Sequence, residues 1–353
     1  MALSTRVLQA YLIAQWIFLS STIILFNKYL LSSAKFHFPL TLVSLHMAFI
    51  TVAAAAWRGF GWIEIPQDIS WHDVTTRFLP VALLFALSLC LGNMAYLYIS
   101  VAFVQMLKAS TPVAVLLASF AFGLETPRAE LGGCIFLIAT GVAVSCYGQI
   151  QFDLIGFSVQ MAAVGCEALR LCLVSIALTS KGFKLSPIAF LYFVAPLCWL
   201  AILPAWLWLE ADAVCHHDFA PIRRVGLSIL FANASVAFLL NLATMALIKH
   251  TSPLTLNVSG VFKDILLIVW SVAISGAIVT PVQYGGYTIA VVGVSGYMAF
   301  KRQQQQQVKV VATAEGGRSA SASALVAAER APLQGGCEDA ELEDEKEPGR
   351  PAP

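Results

Sequence analysis

Residues Leu79–Gly123 read LPVALLFALSLCLGNMAYLYISVAFVQMLKASTPVAVLLASFAFG, and Lys108 is the only charged residue among them. Two apolar runs, about 79–99 and 101–123, meet at Ser100. A helix needs about 20 apolar residues to cross the hydrocarbon core of a bilayer. The stretch therefore reads as two spanning helices joined by a tight hairpin, with one ammonium group inside the second. Runs of the same kind recur at about 9–31, 39–57, 131–149, 153–177, 187–209, 227–248, 252–276 and 281–300. The expected fold is an all-α polytopic membrane protein of ten transmembrane helices.

Composition agrees. Hydrophobic residues make up 59% of the 353 residues, charged residues 12%, and mean hydropathy is +0.79. Soluble domains are about half apolar and about a quarter charged, so a water-soluble globule of this size could not cover its surface. The net charge is +1, and no basic stripe interleaves with aromatics, which argues against a nucleic-acid partner. The eight cysteines lie mostly inside apolar runs and form no C-x-x-C pair, a poor start for a disulfide framework or zinc site. His216-His217, flanked by Cys215 and Asp218, resembles a metal cluster only on paper, in a loop. No cofactor and no metal are expected.

The expected organisation is a short N-terminus over 1–8, a ten-helix domain over 9–302 with halves at about 9–149 and 153–300, and a disordered tail over 303–353. The tail opens on Gln303–Gln307 and carries an acidic cluster from Glu338 to Glu347. Such a segment cannot bury enough apolar area to fold alone. Arg6, Arg58, Arg77, Arg128, Lys181, Lys184, Lys249, Lys301 and Arg302 fall on the side of both termini; Lys28, Lys35, Arg223 and Arg224 fall opposite. By the positive-inside rule both termini are cytosolic. The few residues before the first run leave no room for a transit peptide. That run reads as an uncleaved signal anchor, pointing to the endomembrane system, the Golgi first and the ER as alternative.

The two halves echo each other. Lys108 precedes the run Pro112–Phe122 as Lys263 precedes Ile265–Ile274. Gly132-Gly133, Gly141 and Tyr147 are answered by Gly285-Gly286, Gly293 and Tyr297. An odd number of helices per half inverts the second, giving two inverted five-helix repeats. Secondary transporters are often built this way, with the site near the midplane between the repeats. The glycine stripe predicts close helix contact, either within the bundle or across a homodimer.

Five charges lie well inside the expected helices: Lys108, Glu167, Arg170, Lys263 and Asp264. Each costs about 2.5–3.5 kcal/mol at a helix centre on insertion scales, so each should face a partner or an aqueous cavity. Glu167 and Arg170, three apart, share a face and can form a structural pair. Asp264 follows Lys263 directly, points about 100° away around the helix, and reads as a poor partner for it. It is expected to reach Arg170 or Lys108 instead. Two lysines from equivalent places in inverted halves would repel in one cavity unless an anion of two or more charges sat between them. Phosphate or a phosphate ester suits such donors. The competing reading is that both lysines snorkel to the interface. Asn93, Tyr96, Tyr98, Gln105, Ser110, Thr111, Asn241, Thr244, Thr255 and Asn257 supply neutral polar groups for a sugar or base, or simply bond neighbouring helices. His46 and Lys28-Tyr29 are further candidates of low specificity.

At these residues the chain resembles the triose-phosphate translocator and nucleotide-sugar transporter branch of the drug/metabolite transporter superfamily. The resemblance runs over about 9–305. It is carried by Trp16–Leu31 (WIFLSSTIILFNKYLL), Leu91–Pro112 (LGNMAYLYISVAFVQMLKASTP), Glu167–Arg170 (EALR), Lys181–Pro187 (KGFKLSP) and Leu254–Asp264 (LTLNVSGVFKD). The VFKD stretch is similar to a Lys-Asp subgroup that includes plant sugar-phosphate/phosphate translocators and Golgi carriers of UDP-arabinofuranose. The resemblance implies an alternating-access antiporter whose phosphate is gripped by Lys108, Arg170 and Lys263. Asp264 stands where plastid phosphate translocators have arginine, Gln105 where they have histidine, and Leu240 where they have tyrosine. FLLN at 238–241 and SGVFK at 259–263 depart from GDP-mannose carriers. These departures favour a nucleotide-linked sugar, a UDP-sugar first.

The expected substrate site is Lys108, Lys263, Arg170, Gln105, Asn241, Asp264, Asn93, Tyr96 and Thr111. The partners are a nucleotide sugar or sugar phosphate, a counter-anion (nucleoside monophosphate or phosphate), and the lipid bilayer. A sugar-phosphate/inorganic phosphate translocator is the alternative. Neither a channel's continuous polar face nor a catalytic constellation is legible, so an intramembrane enzyme is the distant alternative.

Overall fold

The computed structural model describes residues 2–62, 69–124, 129–179, 187–215, 219–250 and 253–315. Among them every regular element is helical, as the bilayer demands, because a helix satisfies its own backbone polar groups where water cannot. The long elements are α1 (Ala2–Lys28, extended by a π-helical turn Tyr29–Ser33), α2 (Pro39–Gly59), α3 (Trp71–Tyr98), α4 (Val101–Ala121) and α5 (Ala129–Tyr147). They continue with α6 (Leu154–Thr179), α7 (Pro187–Leu209), α8 (Leu227–His250), α9 (Pro253–Ser275) and α10 (Pro281–Glu315). Two short helices, Ala211–Cys215 and Ala220–Val225, lie between α7 and α8. Proline opens α2, α7, α9 and α10, where its missing N–H has no intrahelical partner to lose. Among the described residues seven helices are long and apolar enough to cross a membrane: α1 to α4 and α6 to α8. The chain is a multi-pass membrane protein.

Two expected boundaries move. The tail was expected to begin at 303, yet α10 continues through the glutamine run to Glu315. Glutamine is a good helix former, and a helix already nucleated in the membrane extends without a new nucleation cost. At the other end, α1 takes in residues from Ala2 onward. The acidic cluster, Lys181–Ser186 and the 216–218 part of the histidine loop lie outside the described residues.

α5 lies against α10, α2 against α7, and the first half of α4 against α9. α3 packs on α6 and α1 on α8; α3 also meets α7, and α2 meets α8; the second half of α4 touches α6, and α1 touches α9. The glycine stripe works within the bundle. A Cβ on Gly286 would stand 2.5 Å from the Ser145 backbone N, and one on Gly293 2.8 Å from Ile138 Cγ1. Gly132, Gly133 and Gly285 face open space.

On the side where α1 ends, the bundle is tightly closed. Leu30, Leu31, Phe36, Leu42, Val101, Phe103, Val104 and Leu107 are all buried to 1% exposure or less. Lys28 donates to the carbonyls of Tyr96 (2.6 Å) and Ile99 (3.1 Å), a cation at the C-terminal, negative end of α3. Glu210 accepts from the Leu40 and Thr41 amides at 2.9 and 2.7 Å and from the Thr41 hydroxyl at 2.7 Å. It thereby closes the N-terminus of α2. Beneath these caps runs a buried relay across four helices. His46 bonds the Asn233 side-chain oxygen; Asn233 Nδ2 donates to Asn27 Oδ1 (3.0 Å), Asn27 Nδ2 to Asn93 Oδ1 (2.9 Å), and Asn93 Nδ2 to the Leu89 carbonyl (2.9 Å). In this chain each asparagine gives one donor and one acceptor, so no amide of the relay is stranded away from water.

Candidate functional site: a charge cluster in the middle of the bundle

Lys108 ends the first half of α4. Thr111-Pro112 opens the second half, and Pro112 has no N–H for the Lys108 carbonyl. Val113 and Ala114 both turn their amides to the Ser110 carbonyl, at 3.0 and 3.1 Å, and the Ser110 hydroxyl bonds the Leu107 carbonyl at 2.7 Å. The helix is thus interrupted beside its one charge, an irregularity tolerated at depth only where backbone is covered by protein or lines a cavity. The Lys108 ammonium makes no hydrogen bond and no close ion pair among the described residues; the carboxylates of Asp264 and Glu167 lie within electrostatic reach of it.

On α9, Lys263 Nζ stands 3.3 Å from Asp264 Oδ1, with the two side chains 16% and 26% exposed. This corrects the expectation that Asp264 is a poor partner for its neighbour. The two Cα–Cβ bonds do diverge around the helix, but the four-carbon lysine stem is long enough to fold back. The same ammonium lies 5.3 Å from the centre of the Trp16 ring on α1, a cation–π distance, and Trp16 Nε1 donates to Thr244 Oγ1 at 3.1 Å. Tyr96 on α3 and Tyr287 on α10 are also within the field of Asp264.

On α6, Arg170 grips Glu167 with two bonds, Nε to Oε2 at 2.9 Å and the terminal nitrogen to Oε1 at 2.5 Å. Its guanidinium lies 4.7 Å from the Phe85 ring centre, and Ser88 Oγ bonds Glu167 Oε2 at 3.4 Å. The three-residue spacing legible in the sequence is the reason the pair forms.

Gln105 sits one turn before Lys108, 1% exposed, and among the described residues neither its amide nitrogen nor its oxygen has a hydrogen-bond partner. It lies beside the Tyr96 side chain without reaching hydrogen-bond geometry. Among the expected site residues, Gln105 and Lys108 lie on α4 and Lys263 and Asp264 on α9, two helices in contact; Tyr96 lies beside Gln105, and Arg170 is paired with Glu167. Thr111 stands half-buried just past the break in α4. Asn93 belongs to the relay described above. Asn241 is turned onto its own helix, donating to the Ala237 carbonyl at 2.9 Å. The side chains of Thr255 and Asn257 lie outside the described residues. Trp16, Phe85 and Ser88 were not singled out by reading the sequence; Trp16 and Thr244 are 228 positions apart, and no local pattern links them. Among the described residues no group of three or more histidine, cysteine, aspartate or glutamate side chains is placed to hold a metal ion.

A family model described as the triose-phosphate transporter family matches residues 7–298. That span holds all five intramembrane charges and every helix that packs around them. The chain belongs to the triose-phosphate transporter family. Its similarity to individual members is extensive. One protein of Arabidopsis thaliana named "probable sugar phosphate/phosphate translocator" is 39% identical over 320 residues, covering 87% of this chain and 89% of the relative. A second of the same name and organism is 40% identical over 298 residues, covering 82% and 83%. A third is 39% identical over 311 residues, covering 86% of each. For a member of this family the cluster has suitable chemistry: ammonium and guanidinium donors that are partly exposed, beside a buried neutral amide and two buried phenols.

Proposed function

We propose that this chain is a secondary antiporter that exchanges a nucleotide sugar or sugar phosphate for phosphate or a nucleoside monophosphate by alternating access. It works as ten spanning helices in two inverted halves, with both termini in the cytosol and the Golgi membrane as its first location. The observation that carries the reading is that Lys108 of α4 and Lys263 of α9 lie on helices that pack against each other, with Asp264 paired to Lys263 and within electrostatic range of Lys108. The anionic end of the cargo binds there, and Arg170, Gln105 and Tyr96 complete the surroundings.

The helix pairings support the inverted repeat. Replace each helix by the one five places along, and α1 on α8 becomes α6 on α3. Likewise α3 on α7 becomes α8 on α2, and α4 on α6 becomes α9 on α1; the pairs α2–α7, α4–α9 and α5–α10 map onto themselves. A pseudo-twofold axis between the halves has that property.

Two cargo classes share the phosphate end. Trp16 beside Lys263, with Tyr96 nearby, gives a nucleotide base an aromatic face, which favours the nucleotide sugar. The names carried by the relatives favour the sugar phosphate. Purified protein in liposomes preloaded with inorganic phosphate or uridine monophosphate, offered labelled UDP-sugars and hexose phosphates in parallel, separates the two. A strong preference for exchange follows from charge: three cations and two carboxylates leave the empty site positive, and an occluded net charge away from water is costly. Cargo lowers that cost, so the loaded carrier crosses more readily. Uptake into vesicles lacking any internal anion at the rate seen in preloaded ones would rule this out.

A further inference from the structure

The two intramembrane carboxylates are held differently. Glu167 is committed: both its oxygens are gripped by Arg170, and Ser88 adds a third bond. Among the described residues Asp264 has one ion contact, to Lys263 at 3.3 Å, longer than the roughly 2.7–2.9 Å of a charge-assisted hydrogen bond. It is 26% exposed, so water or a solute can compete for it. Lys108, reaching in from the opposite half, has that carboxylate and Glu167 as its nearby opposite charges.

We propose that Asp264 is a built-in counter-anion, which offsets one of the two lysine charges in the empty carrier at the place where the phosphate of the cargo binds. The proposal rests on the transporter reading above and deepens it. Cargo phosphate must displace a tethered carboxylate. A tethered group competes at an effective concentration of millimolar order, so Asp264 weakens cargo binding. In return it removes one positive charge from the empty site, which makes the unloaded carrier cheaper to occlude. Asp264 therefore sets two quantities in opposite directions: affinity for cargo, and the fraction of cycles in which the carrier returns empty. Wild-type exchange is then tight but leaky, with slow efflux even when no counter-anion is offered.

The test uses full-length protein in liposomes, with labelled inorganic phosphate and labelled uridine monophosphate as probes. Two quantities are read: the concentration giving half-maximal exchange, and efflux from preloaded vesicles into anion-free medium. Wild type is expected to show efflux above protein-free liposomes but well below exchange. Asp264→Asn, which keeps the shape and loses the charge, is expected to lower the half-saturating concentration about tenfold and slow anion-free efflux by a similar factor. Asp264→Glu is expected to move both values back toward wild type. Unchanged or weakened affinity in Asp264→Asn overturns the inference, and so does wild-type efflux no faster than the protein-free background, a result that needs no variant to fold. Wild-type protein that exchanges neither probe nor any phosphorylated sugar removes the transporter reading, and the inference with it.

Discussion

Lys108 and Lys263 do equivalent work in the proposed site but are supported differently, and this separates their variants. Lys263 is paired with Asp264 and lies over Trp16, whereas among the described residues Lys108 has no close partner of its own. Lys108→Ala and Lys263→Ala should both insert and both lose uptake, with the half-saturating phosphate concentration raised about tenfold or more by the loss of one charge-assisted contact. Their melting temperatures in detergent should differ: Lys263→Ala strands Asp264 and should melt lower, while Lys108→Ala relieves a cation without a close partner and should melt near wild type. Equal melting of the two would show that the Lys263–Asp264 contact contributes nothing to stability. Glu167→Gln tests the committed pair. It leaves a guanidinium at depth without its counter-ion and should cost about 1–2 kcal/mol, less than a fully buried pair because the side chains are 17% and 33% exposed. At this scale the sequence was informative about which residues matter, since a charge in an apolar run stands out. It was silent on what each charge touches. The Glu167–Arg170 pair was legible because both ends lie on one helix at fixed spacing. The fold-back of Lys263 onto Asp264 was not, because rotamers of a long side chain are chosen by its surroundings, here Trp16 and the partly open centre.

Among the elements, the α5–α10 seam gives the sharpest contrast. Gly285 and Gly286 are neighbours in sequence, yet a Cβ at Gly286 meets the Ser145 backbone at 2.5 Å while one at Gly285 meets nothing within 4 Å. Gly286→Ala should therefore destabilise by about 1–3 kcal/mol through overpacking. Gly285→Ala should be neutral or slightly stabilising through better helix propensity. Paired thermal melts check this, and similar losses from both would mean that the seam is not closely packed. Across α1, α2, α3 and α8, the relay from His46 to Asn93 holds the closed side. Asn27→Leu removes the donor to Asn93 and the acceptor for Asn233 at once. Its stability cost should be about 1–2 kcal/mol for two bonds inside a membrane bundle, and it should render the end of α1 more accessible to a thiol reagent placed at a cysteine introduced at Phe36. Reading the sequence located the apolar body of each of these helices, because length and apolarity are local properties, but not the polar turns by which α1, α3 and α10 run past it. It missed the relay: His46 was weighed alone, and the pairing of asparagines 66 and 206 positions apart leaves no periodic trace.

For the whole molecule, the proposed ten spans place both termini on one side, and epitope tags at the two ends should be accessible together in sealed vesicles. Tags on opposite sides would break the inverted repeat. What the sequence determined by itself is the membrane-spanning, all-helical character, the five charges that must find company in it, and membership in a family whose long matching stretches survive in order. These follow from composition, run length and local motif, all carried along the chain. What only the tertiary structure decided is which charges meet: that Lys263 folds back on Asp264 while Lys108, 155 positions away in sequence, lies on the helix packed against theirs, that the arginine is already taken, that a glutamine is buried with its amide unsatisfied among the described residues, and that one side of the bundle is shut. The physical reason is that an apolar run satisfies its own backbone wherever it lies in lipid, so it specifies a helix without specifying a neighbour. Neighbours are chosen by close approach at glycines and by the need of each buried polar group for a partner, conditions that exist only once all the helices are side by side.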